Sequence, residues 1–456
     1  MPCPTLRAGL LLDDSLPVDA VATTPMPAGC PISEDDAALL GQLQRDAFDY
    51  FVQQVDPVSG LVADNSRTGS PVSIAVVGFA LSCYPIAVER GWMTRESACA
   101  LSVAAMRFFH DSDQSGAADA TGHRGFYFHF LDPASGKRVW NSELSMVDTA
   151  LLIAGVLMAA EYFNRSDAME TQLRALADAL YLRIDWRWAQ DGGHTIMQGW
   201  KPECGFLHYG WEGYNEAIVL YVLALGSPTF PIFPECYKSW TSTYQWENIY
   251  GVDVLYAGPL FVHQFSHAWI DFRGLQDSYM REKSSDYFEN SRRAIMIQRE
   301  YTLINPGSHA GYGVDGWGLS AGDGPTDEVL SMDSEPRRLF GYAARGVPYG
   351  PDDGTLSPPA VLACLPFAPE ATLRCTRTAL QRYPEIQSLG RLTSGFNANL
   401  STEGQAWVSP GHYGLDQGIV TMMIENHRTG LPWRLMRGCG YLVDGLRKAG
   451  FQGGWL

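Results

Sequence analysis

The sequence predicts an all-α fold, built as a double-layered ring of about six helical hairpins. From Glu34 onward, about a dozen segments show helical hydrophobic periodicity. Segments 143–163 and 212–225 are apolar on nearly every face, whereas segments 167–184 and 235–246 are apolar on one face only. Helices buried on all sides that alternate with helices buried on one side are typical of an inner and an outer layer. An irregular all-α domain is the alternative.

The predicted helices begin after capping residues where the sequence offers them, as at Ser33, Thr94 and Ser166. They cover residues 37–55, 70–90, 95–109, 143–163, 167–184, 212–225, 235–246, 284–301, 356–363, 369–383, 415–428 and 433–449. No change in composition separates a second domain, so we expect a single domain over residues 34–456. Residues 1–33 are rich in Pro, Ala and Thr and are expected to form an extended or disordered arm.

Three connections are long for a simple helical bundle. Residues 111–141 alternate like a short β-hairpin with a turn at 132–136. Residues 186–211 and 302–327 are rich in Gly and Trp. Long ordered loops usually carry function, so we expect them to line a site at one end of the ring.

The composition favours a neutral ligand. The formal net charge is −17, which disfavours nucleic acid and anionic membrane surfaces as partners, because both require a basic surface. No segment approaches the roughly 20 apolar residues of a membrane span. Aromatic residues make up 12% of the chain, including 13 Trp and 21 Tyr. They could line a sugar-binding cleft, although core packing uses the same residue types.

The nine cysteines are odd in number, widely spaced and without a CxxC motif. This pattern argues against a disulfide framework and against a structural zinc site. The N-terminus lacks the basic start and long apolar stretch of a secretion signal. Both observations favour a reducing, cytoplasmic location. A periplasmic or secreted location remains the alternative if a signal has been removed.

Two of the nearly all-apolar helices begin with carboxylates, which are the best candidates for catalysis. Glu143 stands near the start of one such segment and Glu216 near the start of the other. Cleavage of a glycosidic bond needs one protonated and one ionised carboxyl group. We therefore predict Glu143 and Glu216 as a catalytic pair. The alternative is that each charge only complements a helix N-terminus.

Asp148 lies five residues after Glu143 and precedes a long apolar run. If both residues belong to one helix, their side chains differ in direction by about 140°. We therefore expect Asp148 to face away from Glu143 and to play a supporting role.

The second carboxylate stands among residue types that bind sugars. Glu212 and Glu216 are four residues apart and would share one face of a helix. Trp211 and Tyr214 flank them. Carboxylate and aromatic groups together predict a sugar subsite, and helix capping is again the competing explanation.

Two histidines, His263 and His267, are spaced i, i+4 and could reach one ligand from a single helical turn. The HExxH motif is absent from this segment, and no third metal ligand is evident. We therefore expect these histidines to bind substrate or to form structural hydrogen bonds.

The segment 311–325, GYGVDGWGLSAGDGP, holds six glycines. It lacks the GK[ST] ending of a phosphate-binding loop, so nucleotide binding is not predicted. Tyr312, Asp315, Trp317 and Asp323 could instead line a cleft. A tight turn held by aromatic side chains is the alternative.

Six blocks of this sequence, in order, resemble the bacterial glucoamylase-like domain: VDTALLIAG, ADALYLRIDWRW, YNEAIVLYVLALGSPTFP, PLFVHQFSHAWIDFR, DYFENSRRA and GYGVDGWGLSAGDGP. That domain includes endo-β-1,2-glucanases of glycoside hydrolase family 144 and its relatives, and the transglycosylase part of cyclic β-1,2-glucan synthases. The resemblance runs from about Asp46 to the C-terminus.

The resemblance implies an (α/α)6 barrel that hydrolyses β-1,2-glucan, with endo action that yields sophoro-oligosaccharides, and with no metal or other cofactor. It also implies that Glu143 and Glu216 match two family glutamates, and that Asp148, in the VDT block, positions Glu143 or a substrate hydroxyl. A transglycosylase or an exo-acting enzyme on the same glucan is the first alternative. A catalytically inactive glycan-binding barrel is the second. The oligomeric state is left open.

Overall fold

The computed structural model describes residues 33–332 and 335–456. The arm predicted for residues 1–33 lies outside these residues, apart from Ser33, whose hydroxyl accepts the N–H of Asp36 and caps the first helix. The described residues form fourteen α-helices. These are α1 Glu34–Gln53, α2 Ile74–Glu89, α3 Arg95–Asp111, α4 Met146–Tyr162, α5 Ala168–Leu182, α6 Ile218–Gly226, α7 Pro234–Thr241, α8 Ser278–Glu282, α9 Tyr287–Ile304, α10 Pro358–Leu362, α11 Pro369–Arg382, α12 Gly414–Arg428, α13 Leu431–Gly438 and α14 Gly440–Lys448.

Each predicted helix corresponds to a helix of the structure, although several begin or end up to six residues from the predicted bounds. The predicted helix 433–449 is two helices, α13 and α14, that meet at Cys439 in a Gly-Cys-Gly sequence. The short helix α8 was not predicted. The two acid-headed helices begin later than expected, α4 at Met146 and α6 at Ile218. Both predicted catalytic glutamates therefore precede their helices.

The predicted alternation of burial is present. In α2, every residue from Ile74 to Ala87 is buried, and α4 and α6 are buried along almost their whole length. In contrast, α3 and α5 bury one face, at intervals of three and four residues. The first set therefore lies inside the molecule, and the second set covers it.

Close helix contacts join the inner helices. α2 packs on α4, and α4 packs on α6. A Cβ atom on Gly155 would lie 2.0 Å from the carbonyl oxygen of Gly78, so these helices touch backbone to backbone. Only glycine permits this approach.

Further contacts connect α6 back to α2 through three more inner segments. The segment Leu260–Ala268, two turns of 3-10 helix, contacts the start of α6 through Ser266 and contacts α10 through a 2.7 Å bond from Gln264 Nε2 to the Ala360 carbonyl. α10 packs on α12, and α12 packs on α2. Six inner segments therefore contact one another in succession, and the last of them, α12, contacts the first, α2.

The prediction of an all-α fold left out most of the β-structure, because strands of two to seven residues are mostly too short to show a period-two pattern. The described residues contain twenty short strands. These are β1 Val72–Ser73, β2 Gly122–His123, β3 Phe126–Phe128, β4 Phe130–Leu131, β5 Leu144–Ser145, β6 Gly199–Lys201, β7 Gly205–Phe206, β8 Trp246–Ile249, β9 Val252–Leu255, β10 Leu275–Gln276, β11 Ala321–Gly322, β12 Val329–Met332, β13 Glu335–Arg338, β14 Ala343–Ala344, β15 Thr355–Leu356, β16 Gln387–Ser388, β17 Arg391–Leu392, β18 Phe396–Thr402, β19 Gln405–Val408 and β20 Gln452–Gly453.

One of these sheets positions the site. It has five strands in the order β2-β3-β5-β6-β7, and each strand is antiparallel to its neighbours. The predicted hairpin turn at 132–136 is also present, closed by a bond from the Gly136 N–H to the Asp132 carbonyl and a bridge between Leu131 and Arg138. The turn and strands β2, β3 and β5 lie in the segment that leads to α4, whereas β6 and β7 follow α5 in the chain.

Across the ranges described, no helix has both the length and the hydropathy required to cross a bilayer. The seven cysteines within these ranges are free, and all but Cys204 are buried.

Candidate active site

Glu143 is held by the five-stranded sheet. It directly precedes β5, whose Leu144 pairs with Phe128 of β3 and with Trp200 of β6. Its carbonyl accepts the backbone N–H of His129 at 2.9 Å. A Cβ atom on Gly199 of β6 would come within 2.8 Å of the Glu143 Cγ, so glycine leaves the space that this side chain occupies.

His129 connects two carboxylates. Its Nδ1 lies 2.9 Å from Glu143 Oε1, and its Nε2 lies 3.5 Å from Asp148 Oδ2. Burial alone would lower the pKa of His129, but the charge of Asp148 and the hydrogen bond and charge of Glu143 raise the pKa to about 9. Burial acts to raise the pKa of Glu143, and the hydrogen bond from His129 and its charge outweigh burial and lower that pKa. At neutral pH the imidazole is therefore cationic and Glu143 is ionised.

The prediction that Asp148 faces away from Glu143 is wrong. The 140° argument assumed one continuous helix, but α4 begins at Met146 and Glu143 lies before a strand. Both carboxylates face the same imidazole. Asp148 is fixed in the first turn of α4, where the Ser145 hydroxyl donates to its Oδ2 at 2.5 Å.

The same three side chains are the group that could hold a cation. Ligand atoms of His129, Glu143 and Asp148 lie within 4.8 Å of one another. A metal ion there would have to displace the proton of His129.

Glu216 stands in the loop before α6, and the surrounding structure fixes its backbone. Its carbonyl accepts the hydroxyl of Ser266 at 2.7 Å, and the Ser266 Oγ accepts the N–H of Val219 at 3.1 Å. The side-chain amide oxygen of Asn215 accepts the N–H of Ala217. The segment Leu260–Ala268 therefore determines where the Glu216 carboxyl lies.

The carboxyl of Glu216 has the opposite ionisation to that of Glu143. Burial raises the pKa of Glu216 to about 7, and the negative charge of Asp148 adds to the rise. Among the ion pairs within the described ranges, none involves Glu216. The charge of Asp148 therefore acts both on His129, which binds Glu143, and on Glu216, so the three carboxyls form one electrostatically linked group.

Two further carboxylates at this site were missed by the sequence analysis. Asp416 lies in the first turn of α12, and burial raises its pKa to about 7, with the charges of Asp64 and Asp323 adding to the rise. Burial also raises the pKa of Asp64, to which the charge of Asp148 contributes. The carbonyl of Asp64 accepts the N–H of Gly414 at 2.8 Å, which joins this loop to α12. Asp416 could have been found, because it too opens an apolar helix.

Asp323, predicted from the glycine-rich loop, borders this group. It accepts the hydroxyl of Ser409 at 2.8 Å and pairs with Arg67. Tyr342 is 64% exposed, and its ring lies 6.3 Å from the ring of Tyr413.

Four of the predicted binding residues are instead buried in the core. Tyr214 packs among Tyr244, Tyr287 and His263, and Trp317 is 1% exposed. Both positions lie within the packed interior.

The two histidines do not share one helical turn, since they belong to separate 3-10 turns. His263 bonds to the carbonyl of Ala257 and His267 to the hydroxyl of Ser291. Burial lowers the pKa of His263 to about 4 and that of His267 to about 3. Both are neutral and structural, which agrees with the second of the two roles expected for them.

Trp211 and Glu212 make no described hydrogen bond or ion pair with the carboxylate group. Trp211 is half-buried, and its carbonyl accepts the Tyr221 hydroxyl. Glu212 is exposed and does not share a helical face with Glu216, because α6 begins only at Ile218.

Two predicted residues of the glycine-rich loop, Tyr312 and Asp315, are held by structural contacts. The hydroxyl of Tyr312 donates to Asp352 at 2.6 Å, and Asp315 pairs with Arg374. Of that loop, only Asp323 reaches the carboxylate group through a described contact or charge.

The chain was compared with known families and structures. Residues 208–440, just over half of the chain, match the family model described as "Putative glucoamylase". The chain belongs to this family. This glucoamylase-family chain is 28% identical over 449 residues to the exo β-1,2-glucooligosaccharide sophorohydrolase (non-reducing end) of Parabacteroides distasonis. The match covers 91% of the chain and 58% of that relative's length.

Solved structures of similar proteins share the helix-rich fold. A protein of Bacteroides uniformis described in the same words as the family superposes with a TM-score of 0.81 at 29% identity, covering 94% of this glucoamylase-family chain and 100% of the other. The endo-β-1,2-glucanase of Chitinophaga pinensis, solved with sophorotriose and glucose, has a TM-score of 0.78 at 26% identity, with 93% and 100% covered. The chain is thus a homologue of named β-1,2-glucan hydrolases.

Proposed function

We propose that this protein is a glycoside hydrolase that cleaves β-1,2-glucan or sophoro-oligosaccharides, with Glu216 as the general acid. The observation that carries the proposal is the opposite ionisation of two carboxyls in one site: the pKa of Glu216 is raised to about 7, and the pKa of Glu143 is lowered. Hydrolysis of a glycoside requires this division. The named activities of the homologues support the substrate class.

In the proposed reaction, the protonated Glu216 donates its proton to the glycosidic oxygen as the bond from that oxygen to the anomeric carbon breaks. A water molecule adds to the anomeric carbon, and its proton passes to the Glu143 carboxylate, directly or through a hydroxyl of the substrate. The cation of His129 keeps Glu143 ionised before the reaction. Asp148, between His129 and Glu216, positions both groups by charge.

We also propose that residues 34–456 form one (α/α)6 barrel. Six inner segments in succession, α2, α4, α6, Leu260–Ala268, α10 and α12, support this architecture. Each is preceded in the chain by a helix that would belong to the outer layer: α1, α3, α5, α7, α9 and α11. Glu143, Glu216 and Asp416 all lie where inner helices begin, so they would open onto one end of the barrel.

For the site of attack on the polymer, we propose internal cleavage that gives sophoro-oligosaccharides. Release of a disaccharide from the non-reducing end is the second candidate, and the similarity to the sophorohydrolase favours it. The size of the first products from a long linear β-1,2-glucan distinguishes them. Internal cleavage gives a spread of chain lengths early, whereas end-wise cleavage gives sophorose from the first time point.

The direct test incubates the wild type and two variants with linear β-1,2-glucan and follows products by chromatography. Glu216→Gln is expected to lose about 10²–10⁴-fold in kcat, because general acid catalysis contributes that much. Glu235→Gln is the matched control, since Glu235 is an exposed glutamate in the first turn of α7. No products from the wild type, or equal rates for wild type and Glu216→Gln, would contradict the proposal.

A further inference from the structure

The loop that leads to Glu143 contains a strained aromatic residue. The Ser142 N–H donates to the Val139 carbonyl at 3.0 Å, which closes a turn around Trp140 and Asn141. These two central residues have φ values of +57° and +50°. Two successive positive φ angles are typical of a type I′ turn, where Asn, Asp and Gly are preferred. Asn141 suits this turn, but a tryptophan is strained in the left-handed region.

The exposure of Trp140 is also unfavourable. The residue is 68% exposed. Among the aromatic ring pairs of the described residues, its ring packs against Phe130, tilted and with the centroids 5.1 Å apart. Neither the backbone nor core packing therefore accounts for an indole at this position. Residues kept in strained conformations cluster at functional sites, so the outlier calls for a function.

Strain alone does not select Trp140, because Tyr250 shares it. Tyr250 has a φ of +51°, is 42% exposed, and precedes Gly251 in the turn between β8 and β9. That hairpin packs against α9. What distinguishes Trp140 is its place in the molecule.

Two ring contacts connect Trp140 to the acid group. Phe130, against which Trp140 packs, stacks on the imidazole of His129 with the centroids 3.9 Å apart and the planes at 12°. That imidazole holds Glu143 and Asp148. Along the chain, Ser142 alone separates the turn from Glu143. The exposed indole is therefore linked to the carboxylate that we propose to be the base through Phe130 and His129, and it lies three residues before that carboxylate in the chain.

We propose that Trp140 binds a glucosyl unit of the substrate by stacking, at a subsite next to the bond that is cleaved. This proposal rests on the proposed function. The C–H face of a pyranose ring is apolar and carries partial positive charge, and the face of an indole carries partial negative charge. Stacking would shield both surfaces from water and would orient the sugar over Glu143. The strained turn presents the ring away from the core, as such contact requires.

The test replaces Trp140 by the residue that the turn prefers. Trp140→Asn is expected to raise the melting temperature, because asparagine tolerates a positive φ. The same variant is expected to raise KM for linear β-1,2-glucan about tenfold, with a smaller change in kcat. Trp140→Phe, which keeps an aromatic face, is expected to recover most of the loss in KM. Tyr250→Asn is the matched control and should raise the melting temperature without changing KM.

A binding measurement separates the two proposals. Calorimetric titration of Glu216→Gln with sophorotriose is expected to show binding that weakens about tenfold when Trp140→Asn is added. If the wild type hydrolyses glucan while Trp140→Asn keeps KM and Kd within twofold, the stacking role is overturned and the proposed function stands. A lower melting temperature with unchanged KM would assign Trp140 a structural role and overturn the proposal as well. If the wild type neither binds nor hydrolyses these sugars, both proposals are overturned.

Discussion

At the scale of single residues, one imidazole sets the charge of the site. His129 lies between Glu143 and Asp148, and it is cationic because both carboxylates favour its protonated form. Its charge keeps Glu143 ionised, whereas Glu216, without a basic partner among the described ion pairs, keeps its proton. This difference in ionisation between a paired and an unpaired carboxyl is the basis on which we propose Glu143 as the base and Glu216 as the acid.

The ionisation of these two residues predicts the pH profile of kcat/KM. Activity requires Glu216 protonated and Glu143 ionised. As the pH rises through about 7, Glu216 loses its proton and activity falls. As the pH falls below the lowered pKa of Glu143, activity is lost on the acid side. Rates measured on β-1,2-glucan should therefore give a bell whose alkaline limb lies near neutral pH, and a flat profile up to pH 9 would contradict the assignment.

The raised pKa of Glu216 also predicts a change in stability. Between the unfolded value of 4.5 and the folded value of about 7, the folded protein binds more protons than the unfolded chain. Stability from this group is therefore present at low pH and is lost as the pH rises through 7. Glu216→Gln is neutral at every pH. Its melting temperature should therefore be roughly 1–3 °C above that of the wild type at pH 8 and equal to it at pH 4.5. Thermal unfolding at both pH values checks this, and the reverse order at pH 8 would refute it.

The sequence could indicate some of these residues but not others. Glu143, Asp148 and Glu216 were predicted because each precedes a long apolar run, and Asp416 carries the same signal in GLDQGIVTMMI. His129 has no such signal, since a single histidine in an aromatic strand resembles a core residue. Its role follows from strand pairing, which brings residues 129 and 143 together.

At the scale of elements, Glu143, the proposed base, is attached to a sheet, and Glu216, the proposed acid, lies in a loop before a helix. Helical periodicity predicted the existence and type of α4 and α6 but not their first residues. The error mattered, because a helical angle between Glu143 and Asp148 has no meaning when a strand intervenes. Short strands escape a periodicity search, so the element that positions Glu143 was not predicted.

The contact between β5 and β6 yields a prediction for Gly199→Ala. The added methyl would lie 2.8 Å from Glu143 Cγ and 3.0 Å from its Cβ, so the carboxylate must move. We expect kcat to fall about 10–100-fold, since a displacement of about 1 Å near the reacting atoms has effects of that size. Gly440→Ala is the control, because a Cβ there meets nothing within 4 Å. Equal rates for wild type and Gly199→Ala would show that the sheet does not position the Glu143 carboxylate for catalysis.

At the scale of the whole molecule, glycines permit the inner helices to touch. Gly155→Ala would place a Cβ 2.0 Å from the Gly78 carbonyl oxygen, with backbone on both sides. Separating α2 from α4 should destabilise the protein by about 1–3 kcal/mol. Denaturant unfolding measures this loss, with Gly440→Ala again as the control. A variant as stable as the wild type would show that these helices are not tightly packed against each other.

The carboxylate group also joins distant parts of the chain. Asp64 lies near the start of the described residues and Asp416 near their end, and α12 packs on both α1 and α2. The site is therefore complete only when contacts between distant parts of the chain have formed. Such long-range contacts form slowly during folding. Recovery of enzymatic turnover after dilution from denaturant should lag behind recovery of helical circular dichroism. The return of catalytic activity would then report when folding of the whole chain is complete.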